Sequence, residues 1–262
     1  MPIQLQPYTI ENLCHGATWT IHDAELLAQY VAWLALGYHI HIAKILEGEQ
    51  HKSPKMVVNA AQAALKHLSP PASDGLRWHR DGWVFQLISW LAAKQSTDSL
   101  VILRRPQMQP AEKGQDGLIV HLNDSVSGLR GITICEDKAT DNSRDEVRDK
   151  VWPEFAAYER GERDNELMAE VSTILAAKGV EQAEDIVADV FWNKHQQYRV
   201  CVTVKPAVSH ALLFKGYDMV VSGNISRRRA ETVAFSDMRT WMDNFCKSVS
   251  DEIKTLLEAA DV

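Results

Sequence analysis

Three side chains near the middle of the chain have the types and spacing that phosphodiester chemistry requires. Asp116 stands just before the short apolar run 117–122, and Glu136 and Lys138 end a second apolar run. Residues two apart on a strand point to the same face, so Glu136 and Lys138 project together while Asp137 turns away. If the two strands pair, Asp116 comes near them. Two carboxylates and an ammonium would then meet at one end of a small sheet.

Hydrolysis of a phosphodiester needs a nucleophile made from water and a way to carry charge on the phosphorus and the departing oxygen. Mg²⁺ serves both needs and prefers carboxylate oxygens, a carbonyl and several waters. The residues therefore predict a site for Mg²⁺ or Mn²⁺ with Asp116, Glu136 and the backbone carbonyl of Cys135 as ligands. Lys138 could orient the attacking water or stabilise charge in the transition state. The alternative is a surface ion pair of Glu136 with Lys138, worth about 0–1 kcal/mol.

The segments around these residues predict a mixed sheet. Residues 82–95 form an apolar helix, 99–104 read as a buried strand, and 198–205 alternate perfectly between two faces. Three consecutive strands with short links suggest an antiparallel meander, to which a later strand adds parallel pairing. We therefore expect an α/β fold with a mixed β-sheet flanked by helices.

The first 75 residues predict a different organisation. Residues 1–22 read as an extended lead-in that could hold one strand, and a helix capped by Asp23 is expected to run to about Gly48. A second helix is expected over 55–68, opened by a Ser-Pro pair. The stretch SPPASDG at 69–75 then reads as a linker. We expect an N-terminal helical extension over 1–75 and a site-bearing domain over 76–262.

The segments after the candidate site predict mostly helices. A charged helix is expected at 143–160, where Pro153 could kink it, and a long amphipathic helix is expected at 237–258. Two further helices are predicted at 165–177 and 184–194. The segments 209–214, 217–222 and 230–235 read as short strands or loops.

The motif resembles a known nuclease pattern. Asp116, followed about twenty residues later by Glu136-Asp137-Lys138 after an apolar run, resembles the PD-(D/E)xK nuclease superfamily. The order of elements over about residues 82–205 is similar to that superfamily's restriction-endonuclease-like core. The resemblance implies metal-dependent phosphodiester cleavage, with Asp116 and Glu136 as metal ligands and Lys138 in the catalytic position.

The chain departs from that pattern in two places. The residue before Asp116 is Gln115, where the pattern has proline. Many members also carry a polar or acidic residue on the first core helix. Gln86 is the natural match for it here and Asp81 a poorer one, so the resemblance implies an auxiliary role for Gln86.

The chain also resembles the nuclease subunits of bacterial anti-phage defence systems, in particular the small subunit of the Hachiman system, which pairs with a helicase. This resemblance implies DNA degradation that is restrained until the helicase engages. The formal net charge of -7 argues against unassisted clamping of nucleic acid by a basic surface. The chain has no G-x-x-x-x-G-K-[ST] motif, so motor work would come from a helicase or ATPase partner. Two alternatives remain open: a stand-alone restriction or repair endonuclease, working as a homodimer, and a non-catalytic interaction subunit on the same fold.

Two arginine clusters could supply phosphate contacts to DNA, although a charge run is more often a solvated face. They are Arg104-Arg105, near the candidate site in sequence, and Arg227-Arg228-Arg229. Trp78, Trp83 and Trp90 around the core helix are interpreted as packing residues.

The remaining features indicate an ordinary intracellular protein. The four cysteines form no C-x-x-C pair, and the N-terminus has no basic and apolar signal segment, so we expect a cytoplasmic protein with reduced thiols. Residues 26–46 are strongly apolar, but polar side chains interrupt them. A buried or interface helix is favoured there over a membrane span.

Overall fold

One mixed β-sheet organises the computed structural model, which describes residues 1–49, 52–97, 99–111, 114–123, 128–192 and 195–260. Within this part of the chain the sheet has seven strands in the order β1-β2-β7-β6-β5-β4-β3. The strands are β1 (Ile3–Ile10), β2 (Cys14–Ile21), β3 (Val101–Leu103), β4 (Gly117–Leu122), β5 (Leu129–Lys138), β6 (Gln196–Val204) and β7 (Arg228–Ala234).

The site-bearing half of the sheet has the predicted topology. Strands β3, β4 and β5 form an antiparallel meander, and β6 pairs parallel to β5. In the β4–β5 register Gly117 lies opposite Cys135. Asp116, one residue earlier, therefore stands beside the strand end that carries Glu136. This register brings the two predicted carboxylates to the same edge of the sheet.

Helices cover both faces of the sheet. The helices are α1 (Ala24–Ala35), α2 (His39–Leu46), α3 (Val58–Leu68), α4 (Asp74–Gln95), α5 (Ser143–Glu146), α6 (Trp152–Glu159), α7 (Asp164–Ala177), α8 (Ala183–Trp192), α9 (His210–Leu213), α10 (Tyr217–Val220) and α11 (Met238–Ala260). One core contains residues of α1, α3, α4 and α11, and the other contains residues of α6, α7 and α8. Strand β6 joins the two, since Cys201 faces the first core and Val200 and Val202 face the second. The predicted α/β class and the two-faced β6 are confirmed.

The N-terminal portion is not only helical, and the extended lead-in expected to hold one strand contains two, β1 and β2. These two strands form a hairpin, and β2 pairs parallel to β7. A Cβ on Gly16 would lie 1.6 Å from the carbonyl oxygen of Ala230, so the two backbones approach as closely as a glycine permits. The boundary between the N-terminal extension and the site-bearing domain was predicted after residue 75. Helix α4, which begins at Asp74, runs through that position.

Several predicted helices differ in their bounds. The expected helix over 23–48 is two helices, α1 and α2, separated at Gly37, whose φ is 89°. The helix expected from residue 55 begins at Val58. The run over 143–160 contains a π turn, Val147–Val151, just before Pro153, which lacks the N–H that an α-helical hydrogen bond needs.

Two of the three uncertain segments are short helices. Residues 210–213 and 217–220 form α9 and α10, and only the third segment contributes a strand, β7. No helix in the described part of the chain is both long and apolar enough to cross a bilayer.

Candidate active site

The structure brings the three predicted side chains together at the carboxyl end of β5. The Lys138 ammonium lies 3.1 Å from Oδ2 of Asp116 and 2.7 Å from Oε2 of Glu136. The Glu136 side chain is 8% exposed and the Lys138 side chain 22%. These groups are largely buried, so the small energies of exposed ion pairs do not describe them.

Asp116 is held from two further directions. Its Oδ2 accepts a hydrogen bond of 2.8 Å from the backbone N–H of Asp137. Its Oδ1 accepts one of 2.5 Å from Nε2 of Gln86, on helix α4. Gln86 therefore reaches the site from the position that the resemblance assigned to it. The second amide atom, Oε1 of Gln86, is buried and has no hydrogen-bond partner.

The three charged groups shift one another's proton affinity. Burial raises the pKa of Glu136, Asp116 raises it further, and the Lys138 ammonium opposes both. Burial by itself would lower the pKa of Lys138, but the two carboxylates outweigh it and hold that pKa above its ordinary value. Lys138 therefore stays an ammonium and offsets the repulsion between Asp116 and Glu136.

The donor set at this position fits a hard divalent cation. Mg²⁺ is commonly held by one or two carboxylates and keeps several waters, and Asp116 and Glu136 supply that number. The unpartnered Oε1 of Gln86 is a further oxygen at the same place. No group of three or more His, Cys, Asp or Glu side chains that could hold a metal occurs among the described residues. The Cys135 side chain is buried with Ala93 and Ile119, and the ligand role of its carbonyl stays a prediction.

Asp81 is not available as a metal ligand. The residue is fully buried, and Arg80 donates to its Oδ1 at 2.7 Å. Arg239 donates to its Oδ2 at 2.6 Å. Both oxygens are thus taken by guanidinium groups that join α4 to α11, so the auxiliary role considered for Asp81 is wrong.

A cleft of about 600 Å³ opens onto the site. Asp116, Lys138 and Gln86 line it, and so do Asp141 and Asn142 from the loop after β5. Its other lining residues are Trp78, His79, Gly82, Trp83, Gln107, Ala111, Asp137, Ala139, Thr140, Glu146, Lys150 and Arg239.

The tryptophans around α4 divide into two groups. Trp83 and Trp90 are buried, as predicted for packing residues. Trp78 is 60% exposed, so the packing interpretation is wrong for this residue. It lies in the first turns of α4, a part of that helix that the sequence did not predict as helical.

The arginine run at the start of β7 is engaged inside the protein. Arg228 is 4% exposed and donates to the carbonyl oxygens of four residues. Arg227 forms an ion pair with Glu159, and Arg229 forms one with Glu231. The run begins a central strand, where a guanidinium must find internal partners. The DNA-binding prediction is therefore wrong for Arg228, and the charges of Arg227 and Arg229 are already paired.

The second arginine cluster is also partly internal. Arg104 donates to the Gln115 carbonyl at 2.6 Å and pairs with Glu170 at 3.1 Å. It connects the segment before β4 to helix α7, which is a structural role, and its contact with DNA stays a prediction. Arg105 donates to the carbonyl of Pro106 at 3.3 Å, and its contact with DNA stays a prediction.

A buried polar network beneath the site is not apparent from the sequence motif. Ser89 donates to Oδ1 of Asp137 at 2.7 Å, and Arg199 donates to the Ser89 hydroxyl at 2.9 Å. Arg199 also pairs with Glu231 at 2.7 Å. Burial raises the pKa of Asp137 to about 7, with Arg199 opposing the rise and Asp116 adding to it. The sequence signal for this network was the presence of two charged residues, Arg199 and Glu231, within β6 and β7.

No protein-family model matches the chain, and no curated protein matches it. The resemblance to the PD-(D/E)xK superfamily therefore depends on the motif, the order of the elements and the geometry described above.

Proposed function

We propose that this chain is a metal-dependent nuclease that hydrolyses DNA phosphodiester bonds at Asp116, Glu136 and Lys138. The observation that carries the proposal is the position of the Lys138 ammonium, within 3.1 Å of one carboxylate and 2.7 Å of the other, beside an open cleft. Two carboxylates and one ammonium at the end of paired strands are the groups that this chemistry requires.

Asp116 and Glu136 would hold Mg²⁺ or Mn²⁺, with Gln86 Oε1 as a further oxygen. The ion, when bound, supplies positive charge to the phosphate and makes its bound water more acidic. Asp116 is pre-positioned for this task because Gln86 and the Asp137 backbone fix both of its oxygens. Glu136 lies on β5, where it would be the second carboxylate ligand beside Asp116.

Lys138 contributes a permanent positive charge at the same place. Its raised pKa keeps it protonated, so it can donate hydrogen bonds to a phosphate oxygen or to the attacking water. A donor fixed in advance stabilises developing charge without a reorganisation cost during the reaction. The ion pairs that Lys138 makes with Asp116 and Glu136 also offset the repulsion between these two carboxylates when no metal is bound.

We infer that a helicase or ATPase partner presents DNA to the cleft, as part of an anti-phage defence complex. The support is the acidic chain, with a formal net charge of -7, and the internal pairing of Arg104, Arg227 and Arg228. Because these guanidinium groups are occupied by partners inside the protein, they contribute little to holding long DNA.

One observation favours a rival function, that of a non-catalytic interaction subunit. Lys138, Asp116 and Glu136 satisfy one another's charge in the protein itself. A closed ion-pair cluster of this kind can serve to join strand ends without binding any ligand. The two functions differ in what happens when Mg²⁺ and DNA are added.

The test uses Glu136→Gln and Lys138→Met variants with circular single-stranded DNA and, in parallel, supercoiled plasmid, in Mg²⁺ and in EDTA. The proposal expects cutting by the unaltered chain in Mg²⁺ alone and loss of cutting in both variants. Lys150→Met is the matched control, because Lys150 lines the same cleft but pairs with Glu146 instead of the two carboxylates. Circular dichroism melting of each variant separates loss of chemistry from loss of fold. Unchanged cutting by both variants would contradict the proposal.

The partner is tested separately. The tagged chain is isolated from its native cells, and the proteins that accompany it are assayed for DNA-stimulated ATP hydrolysis. A stoichiometric ATPase that increases DNA cutting supports the complex. Sequence-specific cutting by the isolated chain, without any ATPase, would favour a stand-alone endonuclease.

A further inference from the structure

One wall of the cleft is the exposed side of helix α4. Trp78, Gly82 and Gln86 are spaced four residues apart, so they follow one another along a single helix face. All three line the cleft that also contains Asp116 and Lys138. From Trp78 to Gln86 the helix rises about 12 Å. The face thus leads from the exposed Trp78 to Gln86, the residue that holds Asp116.

Two features of this face are unusual for a protein surface. Trp78 is 60% exposed, although an indole ring is among the most favourable groups to bury. At Gly82 an added Cβ would meet no atom within 4 Å. The face therefore presents an uncovered aromatic ring next to a bare stretch of helix backbone. Glycine in a helix interior costs about 0.5–1 kcal/mol relative to alanine, and no packing contact at Gly82 accounts for that cost.

The charges in the cleft do not favour binding by electrostatic attraction. Among the described residues, three basic side chains and four acidic ones line it. Lys150 is paired with Glu146, and Arg239 with Asp81 and Asp141. A phosphate backbone gains little from such a surface, so affinity must come from another source. Stacking of a base on an aromatic ring supplies affinity that does not depend on charge.

We propose that Trp78 and Gly82 form a subsite for an unpaired nucleobase, so that the substrate of this centre is single-stranded DNA. The base stacks on the Trp78 indole, and the strand passes over Gly82 toward Asp116 and Lys138. In a duplex the faces of the bases are covered by their neighbours, so a single strand can use this ring and a duplex cannot. The assignment of the substrate deepens the proposed nuclease function and rests on it, whereas the stacking contact is a property of binding alone.

The experiment measures binding without cleavage. Anisotropy of a fluorescein-labelled single-stranded 12-nucleotide DNA is recorded against the full chain in EDTA and low salt, with the matching duplex in parallel. The variants are Trp78→Ala, Trp78→Phe, Gly82→Leu and Gly75→Leu. Gly75 lies on the same helix and its Cβ position is equally open, but it does not line the cleft. It is therefore the matched control for Gly82.

The subsite predicts that Trp78→Ala weakens single-strand binding by about 5- to 150-fold, while Trp78→Phe stays within about threefold. Gly82→Leu should weaken binding and Gly75→Leu should not. Duplex DNA should bind more weakly than the single strand and should not respond to Trp78→Ala. Absence of measurable single-strand binding, or equal binding by Trp78→Ala and the unaltered chain, would overturn the subsite. The exposed Trp78 indole would then be assigned to a contact with another protein.

Cleavage assays distinguish this failure from failure of the proposed function. If Trp78-dependent binding is found but Mg²⁺ produces no cutting, the subsite stands and the nuclease proposal fails. If cutting requires Glu136 but neither binding nor cutting depends on Trp78, the nuclease proposal stands and the subsite is overturned.

Discussion

The backbone N–H of Asp137 donates a hydrogen bond of 2.8 Å to Oδ2 of Asp116. The Asp137 side chain leaves on the opposite face of the strand, where Ser89 donates to it at 2.7 Å. Arg199 lies 3.5 Å from the same oxygen. One residue therefore connects the candidate catalytic carboxylate to a buried polar network. Through Asp137, the position of Asp116 is linked to Ser89 and Arg199, which do not line the cleft.

Ser89→Ala tests this connection. The hydroxyl donates to Asp137 and accepts from Arg199, so its removal leaves two buried groups with one partner fewer. We expect the free energy of unfolding to fall by about 1–3 kcal/mol. We also expect DNA cutting to fall by up to about 100-fold, because Asp116 loses part of its support. Urea denaturation and a cleavage time course measure the two effects.

The matched control is Ser96→Ala. Ser96 lies at the end of the same helix, and its hydroxyl donates to the Ala93 carbonyl in the turn before it. The Ser96→Ala substitution should leave the rate of DNA cutting unchanged. Equal loss of cutting in both variants would show that general destabilisation, and not the link through Asp137, is responsible.

Glu231 gives the protein an acid-sensitive component of stability. Burial would raise the pKa of Glu231, but Arg199 and Arg229 outweigh burial and hold it below its ordinary value. A lowered folded-state pKa contributes stability that is present above the unfolded pKa of about 4.3 and is lost as the pH falls through the folded value. Glu231→Gln should therefore destabilise the chain by about 3–5 kcal/mol at pH 7, and by progressively less as the pH falls below about 4.3 toward the folded-state pKa.

Denaturant unfolding of both proteins at several pH values measures the difference. Glu162→Gln is the comparison, because Glu162 pairs with Arg160 on the surface and should show no comparable loss. A pH-independent difference between Glu231→Gln and the unaltered chain would contradict the assignment of this stability to the carboxylate.

Gly16→Ala tests whether the N-terminal hairpin belongs to the sheet. The new methyl group would collide with the Ala230 carbonyl, which also accepts a hydrogen bond from the Tyr8 hydroxyl. We expect loss of more than about 3 kcal/mol of stability, since backbone atoms cannot move aside as a flexible side chain can. Gly75→Ala, at an open helical position, should instead stabilise by about 0.5–1 kcal/mol. A tolerated Gly16→Ala would show that β2 does not pair with β7 in solution.

Arg228→Lys separates a structural arginine from a DNA contact. Lysine keeps the charge but cannot donate to four carbonyl oxygens at once, so we expect a loss of at least about 2 kcal/mol of stability. Single-strand affinity of the folded variant, measured by anisotropy, should equal that of the unaltered chain. Normal stability combined with weaker DNA binding would restore the prediction made from the arginine run.

The sequence predicted the half of the sheet that carries the site, because that half depends on local patterns. The strands before Glu136 are short apolar runs, and the strand after Tyr198 alternates clearly. They pair with neighbours close along the chain or, for β5 with β6, across the helices α5 to α8. The β1–β2 hairpin was missed because its strands alternate weakly, β1 is an edge strand, and β2 finds its second partner more than two hundred residues away.

The same reasoning explains the errors at single residues. A run of three arginines predicts a solvated face, but Arg228 opens the central strand β7, and nothing in its neighbourhood along the chain indicates that β7 lies between β2 and β6. Trp78 was assigned to the core because helix α4 was expected to begin eight residues later than it does. In both cases the tertiary contacts, and not the local pattern, decide the exposure.

The most direct measurement of the central claim is single-turnover cutting of end-labelled single-stranded DNA in Mg²⁺ by the unaltered chain, Glu136→Gln and Lys150→Met. We expect Mg²⁺-dependent product with the unaltered chain and with Lys150→Met, and a loss of at least about 100-fold with Glu136→Gln. Melting curves verify that all three proteins are folded. Product formation by folded Glu136→Gln at the rate of the unaltered chain would contradict the claim that Asp116, Glu136 and Lys138 form a nuclease centre.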